Sequence, residues 1–206
     1  MDKIFKEGMA AIASLVAIVR MNPRIRTLGF FVYKPTRGVK ENSLYPGKVP
    51  VIRLLFQNSA KATFRLKRHE ITVKKLNRIA ASCRKNNKAL AVISWLKVKN
   101  KIYHIPLMDF HCEPAKENLK AIKEFLRLAG QKRGVILFSG RSYHYHGAEL
   151  ISRRKWFNFM HKCLLLTGYA DERYIAHQLN DNGGKSTLRI AAGGMRQTTP
   201  RVVNVL

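Results

Sequence analysis

The sequence predicts an α+β fold in which an antiparallel or mixed sheet is packed by helices. From residue 89 onward the hydrophobic pattern reads strand, strand, helix, strand, helix, an order close to the split βαβ arrangement. Hydrophobic residues make up 46% of the 206 residues, which is enough for a packed core and excludes a disordered basic tail. We therefore expect two parts, a basic N-terminal α/β extension over residues 1–88 and a core over residues 89–206 on which it packs.

The N-terminal extension combines helix and strand patterns. Apolar residues over 3–21 predict a helix that ends at Asn22-Pro23, because a residue before proline is pushed out of the helical region. A second helix is predicted over 72–86, where apolar residues recur at helical spacing. Between the helices, composition predicts strands at 28–33, 51–56 and 62–66, and a proline- and glycine-rich loop at 35–50.

The core begins with two apolar runs, residues 89–98 and 101–108, which are joined across Lys99-Asn100 and predict a hairpin. Pro114 favours the start of a helix that continues to Gly130, because proline fits the first helical turn. The remaining elements are a short buried strand at 134–138, a helix at 156–166 and a last strand at 199–203.

The charge of the chain predicts a polyanionic partner. Lys and Arg number 39 against 12 Asp and Glu, which leaves a formal net charge of +27. On a chain with a packed core, such an excess is typical of proteins that bind nucleic acid. Residues 8–108 hold 21 of the basic residues and only two acids, so we expect the first half to face nucleic acid and the second half to supply carboxylates.

Cysteine usage and hydropathy predict a cytoplasmic protein. Cys83, Cys112 and Cys163 are an odd number without a CxxC pair, which argues against a disulfide framework and against a cysteine zinc site. The apolar stretch over residues 8–19 is too short to cross a bilayer, which takes about 20 residues. We expect no membrane partner.

Two segments carry residues suited to chemistry. Asp109 and His111 follow a predicted strand, and because strand side chains alternate between faces, both point the same way and can share a divalent ion. The second segment is Ser139-Gly140-Arg141-Ser142-Tyr143-His144, directly after the short buried strand. Its hydroxyl, guanidinium and imidazole groups are donors suited to phosphate oxygens, and glycine permits a close backbone approach.

The order of these motifs resembles the catalytic core of the archaeo-eukaryotic primase superfamily. That family combines an Asp-x-Asp motif, a small-residue-x-His motif after a Ser-Gly turn, and a lone acid. Here Asp109-Phe110-His111 stands for the first, with His111 in place of the second acid, Ser142-Tyr143-His144 for the second, and Asp171 for the third. A later Leu188-Arg189-Ile190 is similar to the family's nucleotide-contacting segment, so the resemblance covers roughly residues 89–203.

The resemblance implies a primase-like core with an RRM-like sheet. It also implies a primase-polymerase activity on nucleotide triphosphates or, because His111 replaces an acid, a degenerate member that binds nucleotide or nucleic acid without catalysis. Asp109, His111 and Asp171 would be the catalytic and metal-binding residues, with Glu113 nearby, and the metal would be Mn²⁺ or Mg²⁺. The nucleotide-binding residues would be Ser139, Arg141, Ser142, His144 and Arg189. Single-stranded DNA or RNA would serve as template. The sequence shows no helicase module, so a helicase or another replication or defence subunit is a candidate partner.

Two other interpretations stay open. His144-Tyr145-His146 is also a His-hydrophobic-His triplet of the kind that replication initiators and relaxases use, and Tyr174 would then be the nucleophile that attacks single-stranded DNA. In a non-catalytic nucleic-acid-binding protein, aromatic residues would instead stack on bases. The candidates are Trp95, Phe110, Tyr143 and Tyr145, although the apolar run around Trp95 favours a place in the core.

Overall fold

The computed structural model describes residues 4–35, 62–180 and 184–206. The expected strand at 51–56 and nearly all of the expected loop at 35–50 lie outside the described residues. Within them, five α-helices and three antiparallel sheets confirm the α+β class. None of these helices combines the length and apolar character that a bilayer crossing requires.

The helices and strands follow one another closely along the described chain. The five helices are α1 (Ala11–Met21), α2 (Val73–Lys85), α3 (Lys116–Leu128), α4 (Arg153–Leu164) and α5 (Glu172–Asn180). The strands are β1 (Thr27–Tyr33), β2 (Ala62–Lys67), β3 (Ala89–Ile93), β4 (Trp95–Val98), β5 (Lys101–His104), β6 (Leu107–Asp109), β7 (Gly134–Phe138), β8 (Tyr143–Gly147), β9 (Ile151–Ser152), β10 (Thr187–Arg189) and β11 (Arg201–Val205).

Strands from distant parts of the chain meet in each of the two larger sheets. The first sheet has the order β10-β3-β1-β2, the second sheet β11-β7-β8-β6, and the small third sheet β4-β5-β9. The first sheet therefore joins β1 and β2 from residues 1–88 to β3 and β10 from residues 89–206. The division of the chain at residue 88 stays a prediction, and the two segments share this sheet.

The expected hairpin of 89–98 with 101–108 divides into four strands. Only β4 and β5 pair with each other, whereas β3 lies in the first sheet and β6 in the second. The break falls at Ser94, which is completely buried and whose backbone bonds to Ser186 and Ile105 instead of a neighbouring strand. Its hydroxyl accepts from the Ser186 amide at 2.8 Å and contacts Nδ1 of His104 at 3.1 Å. Satisfying these buried polar groups holds the kink between β3 and β4.

The expected helix over 3–21 is shorter than its apolar pattern. It begins only at Ala11, because the backbone before it bonds to the last strand region: Gly8 donates to Val202 and Ala11 donates to Pro200. The helix α5 was not predicted, since its nine residues show no strong apolar run. The strand at 134–138 has the predicted bounds.

The apolar faces of the helices and sheets form one continuous core. Leu15 and Ile18 of α1, Phe30 of β1 and Trp156 of α4 are among its fully buried members. The second sheet contributes Ile136 and Tyr145, which are also fully buried. This packing leaves the side chains at one end of β6, β8 and β10 to face a cavity between the first and second sheets.

Candidate active site

Asp109 stands at the centre of a row of polar residues on three adjacent chain segments. In the second sheet, Asp109 at the end of β6 is the register partner of His144 in β8. On its other side the chain bridges from Phe110 to Ala170, and the Asp171 amide donates to the Asp109 carbonyl at 3.2 Å. Directly opposed residues on antiparallel segments lie about 4.5–5.5 Å apart at Cα. His144, Asp109 and Asp171 therefore sit side by side.

The Asp109 carboxylate and the His144 imidazole contact each other directly. Nε2 of His144 lies 3.3 Å from Oδ1 of Asp109. His144 is buried, with 5% of its side chain exposed, whereas Asp109 exposes 32% to the cavity. The imidazole is thus held from within the sheet, and the carboxylate retains access to a ligand.

Asp171 combines a structural and an electrostatic role. Its Oδ1 accepts from the Tyr174 amide at 2.7 Å, so it caps the first turn of α5. Burial, and then the negative charge of Asp109, raise the pKa of Asp171 above its usual value. Two carboxylates in one partly buried place repel each other, and a cation between them would relieve that repulsion.

His111 and Glu113 continue the chain past the row, on its exposed side. The His111 amide donates to the Tyr169 carbonyl at 2.6 Å, which extends the pairing begun by Phe110. Both side chains are exposed at the rim of the cavity. The position where the family has its second acid therefore faces the same space as Asp109.

The Ser-Gly-Arg-Ser turn between β7 and β8 is tied to the first motif. The amide and the hydroxyl of Ser139 both donate to the Ser142 carbonyl, at 2.8 and 3.0 Å, and close the turn. The Ser142 hydroxyl accepts from the Cys112 amide at 3.1 Å, which joins this turn to the segment after Asp109. Gly140 has a φ of +104°, and a Cβ there would lie 2.9 Å from the Thr198 side chain. Glycine is thus required both by its backbone conformation and by space.

Arg189 clamps two loops beneath the cavity. Its guanidinium donates to the carbonyls of Ser139, Ala191 and Thr198, and the Ser139 bond measures 2.8 Å. The side chain is buried, and this burial lowers its pKa from the usual value. Three of its five N–H donors are therefore engaged in holding the protein together. The expected contact of Arg189 with phosphate stays a prediction.

One cavity of about 380 Å³ collects the residues named from the sequence. It lies between the first and second sheets. The residues that line it and that the primase resemblance implied are Asp109, His111, Ser139, Arg141, Ser142, His144, Asp171 and Arg189, with Glu113 at the same wall.

The cavity also has lining residues that sequence reasoning missed. Phe31 and Tyr33 of β1 form its floor, with ring centroids 5.2 Å apart and a 28° angle between the rings. Arg196 adds an exposed cation to the lining. The signal for the aromatic pair was the i, i+2 spacing on a predicted strand, which places both rings on one face. Nothing local distinguishes Arg196 from the chain's many other basic residues.

The residues of the nuclease interpretation are less accessible. Both ring nitrogens of His146 are buried and have no hydrogen-bond partner among the described residues, and burial lowers its pKa to about 3. The Tyr174 hydroxyl is sealed from solvent, and burial raises its pKa well above the usual value. A tyrosine nucleophile has to reach DNA and lose its proton, so this geometry favours the primase-like interpretation.

The donors around the cavity suit a hard divalent cation, but they do not form a complete coordination shell by themselves. Carboxylates such as Asp109 and Asp171 are the ligands that Mg²⁺ and Mn²⁺ prefer. Among the described residues, no three His, Cys, Asp or Glu side chains converge as a ready-made metal site. The donor set therefore fits an ion held by a few protein ligands and completed by phosphate oxygens, as is usual for Mg²⁺.

Comparison with known proteins identifies one family. The family model described as archaeo-eukaryotic primase 1D-like (AEP-like) matches residues 67–200, well over half of the chain. The matched range contains all three predicted motifs and Arg189. No curated protein and no solved structure matches the chain at a significant level.

Proposed function

The chain belongs to the archaeo-eukaryotic primase-like family, and from that membership and the cavity we propose that it binds a nucleotide triphosphate and transfers the nucleotide to a nucleic-acid strand. The observation that carries the proposal is the convergence of the three predicted motifs on one cavity. Asp109, the Ser139–His144 turn and Asp171 are separated by about 30 residues each along the chain and still share its walls. Two neighbouring carboxylates in one cavity with cationic side chains are the groups that metal-dependent nucleotidyl transfer uses.

The cavity is divided between acidic and basic groups in a way that suits a triphosphate. Asp109 ends β6, Glu113 follows it in the next segment, and Asp171 stands at the start of α5. Arg141 and Arg196 come from the two turns on either side of the Arg189 clamp. The exposed guanidinium groups are suited to the β- and γ-phosphate oxygens, to which arginine donates two bonds at once. In this proposal they neutralise charge on the departing pyrophosphate.

Asp109 and Asp171 would hold the divalent ion, Mn²⁺ or Mg²⁺, that this family's chemistry implies. When bound, such an ion polarises the α-phosphate and stabilises the leaving group during in-line attack by a 3′-hydroxyl. His144 keeps the Asp109 carboxylate in place through the 3.3 Å contact. At the rim, His111 stands where the family has an acid. An imidazole in place of that carboxylate removes one negative charge from the site, which favours Mn²⁺ over Mg²⁺.

The test is template-dependent incorporation of labelled nucleotides, resolved on a denaturing gel, with single-stranded template and either Mn²⁺ or Mg²⁺. Asp109→Asn and Asp171→Asn remove one charge each and keep the shape, and asparagine still caps α5 in place of Asp171. We expect each variant to lose at least about 100-fold in incorporation, the range reported for removal of one preorganised electrostatic group. His144→Ala is expected to abolish incorporation as well.

Glu149→Gln is the matched control, because Glu149 is an exposed carboxylate that does not line the cavity. It should incorporate nucleotides at the wild-type rate. If Asp109→Asn and Asp171→Asn also do so while melting like the wild type, the cavity is not the catalytic site. If the wild type forms a covalent adduct with single-stranded DNA through Tyr174, the nuclease interpretation replaces the proposal.

A further inference from the structure

A second concavity of about 600 Å³ lies on the open face of the first sheet. Its floor is Gly29 and Ile93, its aromatic wall is Trp95, and its cations are Arg65, Arg153 and Lys185. No carboxylate is among the described residues that line it. We call it the Trp95 groove. Neither the family match nor the candidate active site accounts for it.

The register of the first sheet places this groove next to the cavity. Gly29 is paired with Arg65 on one side and Ile93 on the other, whereas Phe31, two residues along the same strand, belongs to the cavity floor. Residues two apart on a strand share a face, and each such step covers about 7 Å. Ile93 is likewise paired with Thr187, a cavity residue in β10. The groove therefore begins one residue row from the cavity, on the same face.

Trp95 lines the groove because β4 turns away from the first sheet. The buried Ser94–Ser186 pair holds the kink, and the Trp156 indole N–H donates to the Ser186 hydroxyl at 3.0 Å. Trp95 is half-buried, contrary to the expected place in the core. The other three aromatic residues considered for base stacking, Phe110, Tyr143 and Tyr145, are buried instead.

Arg65 and Trp95 form a mixed stacking surface. The Arg65 guanidinium carbon lies 4.8 Å from the centroid of the Trp95 ring. Both the indole and a guanidinium plane are surfaces on which unpaired bases stack. Gly29 adds no side chain to the floor, and the Ile93 side chain covers this position, since a Cβ at Gly29 would lie 3.1 Å from it. The floor beside the pair is therefore apolar.

We propose that the Trp95 groove binds single-stranded nucleic acid and leads the template strand into the cavity. This inference rests on the proposed function for its direction, since it places the strand's next bases over Phe31 and Tyr33. A base stacks on the Arg65–Trp95 pair, and Arg153 contacts backbone phosphate. Charge complementarity supports this occupant, because the lining combines aromatic surface with cations, which is the combination that single-strand binding uses.

The strand specificity follows from the geometry of stacking. A base can lie on the Arg65–Trp95 pair only when it is unpaired, so a duplex of the same length loses this contact. A mononucleotide carries the same base and phosphates but cannot span from the groove to the cavity. The groove should therefore prefer a strand over both.

The experiment measures the affinity of the full chain for a labelled oligothymidylate, without metal or nucleotide triphosphate. A length of about 12 nucleotides is within the usual site size for single-strand binding. Trp95→Ala is expected to weaken binding by about 5- to 150-fold, the range for loss of one base–aromatic stack. Trp95→Phe, which keeps a ring, should restore most of the affinity. Binding of a nucleotide triphosphate to the cavity should not change in either variant.

Arg153 and Arg154 provide a matched pair. Both are exposed at the start of α4, but only Arg153 lines the groove. Arg153→Gln should reduce the slope of log affinity against log salt by about 0.7, the value for one phosphate contact on a single strand. Arg154→Gln should leave the slope unchanged.

Equal affinity of wild type and Trp95→Ala for the oligonucleotide would overturn the inference, as would equal salt slopes for the two arginine variants. Preference for a duplex or for a mononucleotide would overturn it too. If Trp95→Ala unfolds at a lower temperature than the wild type, the salt slopes of Arg153→Gln and Arg154→Gln decide whether the inference holds. Failure of the proposed function gives a different result: Asp109→Asn then has no effect on incorporation, while strand binding still depends on Trp95.

Discussion

Replacing Arg189 tests whether this buried arginine holds the active-site loops together. Its guanidinium donates to the carbonyls of Ser139, Ala191 and Thr198, which lie on two separate loops. Arg189→Met keeps a long apolar stem but leaves three carbonyl oxygens without these donors. At about 1 kcal/mol net for each hydrogen bond, the loss is about 3 kcal/mol.

The assay is thermal unfolding without ligand. For a chain of this size, 1 kcal/mol changes the midpoint by about 2–4 °C, so Arg189→Met should melt about 6–12 °C below the wild type. Arg201→Met is the matched control, because Arg201 is exposed and donates one bond, to the Gly8 carbonyl at 3.0 Å. Its loss of about 1 kcal/mol or less should lower the midpoint by no more than about 2–4 °C.

The two variants therefore separate a clamp from a phosphate contact. If Arg189 served only to bind phosphate, Arg189→Met would melt like the wild type and raise only the KM for the nucleotide. Equal melting of the Arg189 and Arg201 variants would show that the three carbonyl bonds do not stabilise the loops. A large fall in both stability and incorporation is the result that the structure predicts.

Two further predictions concern the turn and the pH response. Gly140→Ala should destabilise the protein more than Gly130→Ala in chemical denaturation. Both positions have positive φ, but a Cβ at Gly140 would lie 2.9 Å from Thr198, whereas a Cβ at Gly130 would meet nothing within 4 Å. Equal losses of stability would contradict a packing role for the turn at Gly140. Burial lowers the pKa of His104 to about 4. As the pH falls below about 6.5, the unfolded state therefore takes up a proton before the folded state does. The free energy of unfolding should decrease between pH 6.5 and pH 4, by about 3 kcal/mol for this residue. His104→Phe, which keeps a ring stacked on Trp156, should reduce that acid sensitivity when unfolding is followed from pH 7 to 4, and an unchanged pH dependence would show that His104 is not responsible.

Local sequence patterns were sufficient for most elements. The strand at 134–138 has the predicted bounds, and the helices predicted at 72–86 and 156–166 are present with ends shifted by no more than three residues. These segments carry their own periodicity and end signals, so residues close in sequence determine their secondary structure. The hairpin failed at Ser94 because its kink depends on Ser186, which lies 92 residues away.

The candidate site, too, could be predicted only in part. Asp109, Ser142, His144 and Asp171 were recognisable because their motifs are short and ordered along the chain, and all four line the cavity. Their predicted roles in catalysis and nucleotide binding stay predictions. Tyr33 and Trp95 carried no motif, and their positions depend on which face of the first sheet is left open.

The α+β class, the order of the motifs and the excess positive charge can be predicted from the amino-acid sequence. These properties follow from composition and from contacts within a few residues. Other features depend on the tertiary structure: Asp109 lies between His144 and Asp171, Arg189 supports the loops, and Trp95 is only partly buried. Each of these depends on pairing between segments tens of residues apart, and only the folded chain brings such segments into one register.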